Sequence, residues 1–177
     1  MKQNVKEHFL ELLKTDSSRL IADMLKNEVG DSQENFNILY SFCLSHTYPV
    51  AMRAAHALQF CCEDFPELIN PFIDELVEKI IETKEEGVRR GFLKILAENV
   101  DPYEINNSGL LMDKCFEWAL SENEKPAIRA YSLGILVRIC KREPLLKPEL
   151  ESVIEIISND QSAAVRAKAR WVLKMIS

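Results

Sequence analysis

Asn159-Asp160-Gln161-Ser162-Ala163-Ala164-Val165-Arg166-Ala167-Lys168-Ala169 holds, at its centre, an apolar residue, an arginine and then more helix-forming residues. The same core occurs three more times, as Ala51-Met52-Arg53-Ala54-Ala55, Gly87-Val88-Arg89-Arg90-Gly91 and Ala127-Ile128-Arg129-Ala130-Tyr131. Successive arginines stand 36, 40 and 37 residues apart, a spacing in the range of stacked helix pairs. Seven residues after each arginine comes a large apolar residue: Phe60, Leu96, Leu136 and Leu173. Seven residues make about two helical turns, so each of these shares a face with the apolar residue before its arginine and is expected in the core.

Between the arginine helices lie amphipathic stretches at 67–83, 108–121 and 148–158, with apolar residues three and four apart. Upstream, Val5, Phe9, Leu12 and Leu13 line one face of a first helix. Thr15-Asp16-Ser17-Ser18 supplies capping side chains for a second, whose apolar set is Leu20, Ile21, Met24 and Leu25. Gly30 ends that helix. A third runs over 33–45 through Phe36, Leu39, Tyr40 and Cys43, and Pro49 stands in the first turn of a fourth. Pro66, Pro102, Pro126 and Pro148 mark the starts of later segments. Only 5 glycines and 7 prolines in 177 residues leave too few turns for a sandwich or barrel of short strands.

A helix pair of this length, whose second helix opens with an apolar residue, arginine and small residues, resembles the HEAT repeat family. The last unit matches best, because Asp160 stands six residues before Arg166, as the family pattern prefers. Thr47, Thr83 and Asn123 occupy that place in the earlier units, so the resemblance assigns an Asp–Arg contact to the last unit alone. The resemblance implies an all-α, right-handed superhelix of the armadillo/HEAT type with about ten helices, each unit touching its neighbours. It covers a single domain over 1–177: a divergent capping pair at 1–30, then pairs at 32–65, 66–101, 107–143 and 147–177. Such repeats serve mostly as scaffolds.

The formal net charge of -6 argues against a surface that is basic throughout, and its distribution is more informative. In such a superhelix the first helix of each pair is expected on the convex side and the second on the concave side. The first helices are rich in Asp and Glu, whereas the second helices carry most of the Arg and Lys. At 100 degrees per residue, the positions facing away from the apolar side hold Arg90, Lys94, Arg138, Lys141 and Lys174, with Arg142 and Arg170 alongside. The equivalent places in the first unit hold Ala54, Leu58, Cys61 and Cys62. The expected partner site is therefore a groove in which Arg90, Lys94, Arg138, Lys141, Arg170 and Lys174 supply charge and Leu58 lies in an apolar subsite. It fits an acidic protein segment with an apolar anchor. The repeat arginines themselves are expected to staple neighbouring turns.

Catalytic and metal signatures are missing from the pattern, and no cofactor or small-molecule substrate is indicated. Cys43 and His46, with His56 and Cys61, have no zinc-site spacing; His-Glu-x-x-His, a Gly-rich phosphate loop and Gly-x-Ser-x-Gly do not occur. The alternative function is nucleic-acid binding, since phosphate contacts need only clustered Lys and Arg. The alkylpurine DNA glycosylases are also built from HEAT-like repeats, and Asp113, Trp118 and Trp171 are the residues to compare with them. That family's aspartate follows its tryptophan by a helical turn, whereas here Asp113 precedes Trp118 by five residues. Five cysteines without a Cys-x-x-Cys pair, all inside apolar runs, are expected to be buried thiols of a cytoplasmic protein. No stretch approaches the roughly 20 apolar residues of a membrane span, and charge at Lys2, Lys6 and Glu7 speaks against a signal peptide.

Overall fold

A computed structural model describes residues 2–106 and 108–176. Ten α-helices, with three short 3-10 segments, account for the regular structure among them. They fall into two compact units divided between Ile95 and Leu96, inside one helix.

The first unit contains α1 (Lys2–Thr15), α2 (Arg19–Val29), α3 (Gln33–Ser45), α4 (Val50–Asp64), α5 (Ile73–Glu82) and the first ten residues of α6 (Glu86–Asn99). Ser18 and Ser32 begin α2 and α3, their hydroxyls accepting the N–H of Ile21 and Asn35 at 3.3 Å. Gly30 ends α2 with φ of 52°, and its N–H donates to the Lys26 carbonyl. One element differs from the expected helix over 67–83: residues Pro66–Phe72 wind as a 3-10 helix before α5 begins at Ile73. Pro71 explains the break, because it has no N–H for an α-helical bond and its ring crowds the preceding turn.

The core of this unit lies around α4, where Ala51, Ala54, Ala55, Ala57, Leu58, Cys61 and Cys62 are fully buried. α2 and α3 pack against it, and α1 touches all three. α6 approaches α4 closely through Gly91: a Cβ there would stand 2.9 Å from the Ala55 Cβ, with Gln59 Nε2 at 3.0 Å. Tyr40 of α3 stacks between Phe72 and Phe92, with ring centroids 4.2 and 5.8 Å away. On α2 the buried residues are Ile21, Ala22, Leu25 and Val29, while Leu20 and Met24 are exposed. The expected apolar set was thus wrong at two positions, because the helix turns its Ala22 edge, rather than its Leu20 edge, toward its neighbours.

The second unit contains the end of α6 from Leu96, α7 (Ser108–Leu120), α8 (Pro126–Cys140), α9 (Lys147–Ile157) and α10 (Ala163–Ile176). α7 and α10 pack on α8, which is buried nearly all round: Ile128, Leu133, Ile135, Leu136, Val137 and Ile139 are all in the core. α10 buries Val165, Ala169 and Val172, leaving Leu173 46% exposed. Leu173 is therefore not the core residue its place in the repeat suggested; it lies about 100 degrees round the helix from Val172.

Candidate partner-binding surfaces

The four repeat arginines all reach main-chain carbonyls, three of them at or just beyond helix C-termini and that of Arg166 in the loop before its own helix. Arg53 donates to the Leu13 carbonyl at 2.9 Å, Arg89 to Thr83 at 2.8 Å and Arg129, through Nε, to Ala119 at 3.1 Å. Arg166 donates to the carbonyls of Asp160 and Gln161. The last carbonyls of a helix have no partner within it and carry the negative end of its dipole, so a guanidinium satisfies both needs. These residues staple the helix pairs.

Asp160 departs from the contact that the family pattern implied. Its carboxylate binds Arg129 Nη2 of the preceding pair at 2.6 Å and accepts the Ser162 N–H at 2.8 Å, while Arg166 takes only its main-chain carbonyl. Burial pushes the Asp160 carboxyl up, but the Ser162 N–H and the Arg129 guanidinium outweigh it and hold the group below its ordinary value. The acid thus ties two pairs together rather than closing one.

Among the expected contact residues, Leu58 is corrected. It is 0% exposed, as are Ala54, Cys61 and Cys62, on a helix against which α1, α2 and α3 all pack. What is accessible in the first unit instead is a polar cluster around Phe60. Arg19 of α2 lies over the Phe60 ring with Cζ 3.7 Å from its centroid, His56 meets it edge-on at 4.9 Å, and Lys94 Nζ is 5.7 Å away. Arg19 is tied through Nε to Asp23 at 2.9 Å, and Lys94 to Glu63 at 3.0 Å. Arg90, one turn before Lys94 on α6, is exposed and has no ion pair among the described residues. Burial, then Arg90, Lys94 and Arg19, hold the His56 imidazole below its ordinary value, against Asp23.

In the second unit the expected residues divide into two kinds. Arg138 is partly buried and donates through Nη1 to the carbonyls of Leu96 and Ala97 at 3.2 and 2.9 Å, so it acts as another staple. Lys141, Arg170 and Lys174 are exposed and make no ion pair or side-chain hydrogen bond among the described residues. Neither α8 nor α10 contains a carboxylate. Trp171 is 41% exposed and has Lys168 Nζ 3.8 Å over its ring. That lysine crosses over Gly134, where a Cβ would meet its Nζ in ordinary contact at 3.5 Å.

A cavity of about 220 Å³ in this unit was not anticipated from the sequence; Pro102, Tyr103, Met112, Ile139 and Leu146 line it, with Glu143 at its edge. Tyr103 donates to Glu143 at 2.9 Å, and Arg142 pairs with Asp101 at 2.7 Å while lying over the Tyr103 ring.

Asp113 and Trp118 do not share a site: the acid is exposed on α7 and the indole is buried in its core face. All five cysteines are buried thiols, as expected. Among the described residues there is no group of three or more His, Cys, Asp or Glu placed to hold a metal ion, and no helix is long and apolar enough to cross a membrane.

Paired helices stapled by a recurring arginine define a helical-repeat protein. The chain belongs to the HEAT repeat family: the family's HEAT repeat domain model matches residues 9–176. Members of this family serve typically as non-enzymatic scaffolds for protein interaction. No curated protein and no solved structure matches the chain.

Proposed function

We propose that this protein is a non-enzymatic, cytoplasmic scaffold that holds an acidic protein segment on the basic side of its second helices. The observation that carries the reading is the charge of α8 and α10. They contain no carboxylate, Arg170 and Lys174 stand exposed on the same helix as the half-exposed Trp171, and Lys141 is exposed at the end of α8. An aromatic flanked by cations suits a segment that combines carboxylates with one bulky apolar side chain. Five buried thiols support a reducing compartment. Arg90 and Lys94 give the first unit a basic surface of its own.

The test is fluorescence anisotropy with a labelled peptide of alternating glutamates around one leucine. Its affinity for the intact protein should fall steeply with salt. Reversing Lys141, Arg170 and Lys174 to glutamate should weaken it by about tenfold or more. Equal binding by the intact and reversed proteins removes this surface from the reading. Duplex DNA that outcompetes the peptide at the same ionic strength turns the assignment to nucleic acid.

A further inference from the structure

We propose that Arg19, His56 and Lys94, gathered around the Phe60 ring in the first unit, form together with Arg90, one turn before Lys94, a binding site for a phosphate monoester. Three elements bring them together. Arg19 comes from the first turn of α2, His56 from the middle of α4, and Arg90 and Lys94 from successive turns of α6. Arg19, His56 and Lys94 all lie within 6 Å of the Phe60 centroid, at 3.7, 4.9 and 5.7 Å. The ring, 7% exposed, is a rigid floor that fixes their spacing.

The charge arithmetic favours an anion. Four permanent cations, Arg19, Arg53, Arg90 and Lys94, face three carboxylates, Asp16, Asp23 and Glu63, which are already engaged by the Ser18 N–H, Arg19 Nε and Lys94. Arg19 keeps its terminal N–H groups, and Arg90 keeps its whole fork. Two guanidinium forks beside an ammonium match the several oxygens of a phosphate better than the two of a carboxylate. The groups facing His56 are Arg19 and Asp23 of α2, Asp16 of the preceding turn, Arg53 of its own helix, and Arg90 and Lys94 of α6. Burial and then the surrounding cations hold its imidazole below its ordinary value. A dianion bound among them reverses that field, so His56 takes up a proton as the ligand binds. Binding of the dianion therefore strengthens as pH falls toward the range in which His56 takes up its proton, until the ligand loses its own second charge at about pH 6.

This site is independent of the acidic-segment surface on α8 and α10, and its test is separate. The pKa of His56 is followed by proton NMR of the imidazole in the full chain, with His56→Gln assigning the signal. Inorganic phosphate, in the ~1–20 mM range, is the probe, against sodium chloride at equal ionic strength. We expect the His56 pKa to rise by about one pH unit with phosphate only. Arg90→Glu should abolish that rise, and Lys174→Glu should leave it intact. A phosphoserine peptide binding at least about tenfold more tightly than phosphate identifies a phosphorylated protein as the source, and equal affinity identifies a free phosphate ester. No movement of the His56 signal, an equal response to chloride, or equal binding by a glutamate peptide overturns the proposal.

Discussion

The Asp160 carboxylate lies 2.6 Å from Nη2 of Arg129, and the two side chains are only 9% and 5% exposed. Arg129 stands in the first turn of α8, the second helix of one pair, and Asp160 precedes α10, the second helix of the next, so this ion pair joins consecutive repeats within the second unit. Removing one member leaves the other charged and buried, which costs more than the pair contributes relative to apolar replacements. Asp160→Ala should destabilise the second unit by about 3 kcal/mol or more, seen as a lower urea midpoint at pH 7. A loss under about 0.5 kcal/mol would show that Arg129 finds another acceptor. Because the folded Asp160 carboxyl titrates below the ordinary 3.8, the pair's contribution is complete above that pH and is lost as pH falls through the lower, folded value. The gap between wild type and Asp160→Asn should therefore close only in strong acid.

His56 predicts a second pH dependence in a different window. Its imidazole is held below 6.5 by burial and by Arg90, Lys94 and Arg19. Below 6.5 the unfolded chain binds this proton more readily than the folded chain, so the first unit loses stability as pH falls from there through the folded value. Denaturation midpoints measured from pH 7.5 to 5.0 in chloride should fall for wild type and fall less for His56→Gln. Parallel lines for the two proteins would remove His56 as the cause.

Much of the fold was readable because a helix pair is a local object. The limits of α3, the cap at Ser18 and the stop at Gly30 all follow from side chains within four residues of the boundary. Arg53, Arg89, Arg129 and Arg166 could be recognised as staples because a period of about 37 residues has no other local cause. What periodicity does not encode is which helix covers which. Leu58 faces away from the repeat's apolar side on a helical wheel, yet the helices packed on α4 bury it completely and exclude it from any partner surface. Arg138 sits in an outward position by count, but carbonyls 41 and 42 residues away hold it. The partner of Asp160 was missed for the same reason: the pattern relates it to Arg166 six residues later, while the fold relates it to Arg129.

The cysteines allow a chemical check on the core. Burial pushes all five thiols up, with Cys61 and Cys115 raised to about 12, so almost no thiolate exists at pH 8. Native protein should leave a disulfide-exchange reagent unreacted over minutes at pH 8, and guanidinium should release five thiols per chain. One rapidly titrating thiol in the native state would mean that its part of the core opens.

Two glycines should respond to the same substitution with opposite signs. Alanine gains up to about 1 kcal/mol over glycine in a helix interior from backbone entropy. At Gly109, in the first turn of α7, a Cβ meets nothing within 4 Å, so Gly109→Ala should be neutral to stabilising by a few tenths of a kcal/mol. At Gly91 the new Cβ would lie 2.9 Å from the Ala55 Cβ and 3.2 Å from the Ala55 carbonyl oxygen, both rigid parts of α4. The helices must separate, and overpacking of this kind costs about 1–3 kcal/mol, more than the propensity gain. Thermal midpoints of the two variants should therefore fall on opposite sides of wild type or, at the least, differ by several degrees. If the strain at Gly91 comes from α4, Ala55→Gly in the same chain should recover part of the loss beyond what additive effects allow. Strict additivity would place the close approach of α4 and α6 elsewhere along the two helices.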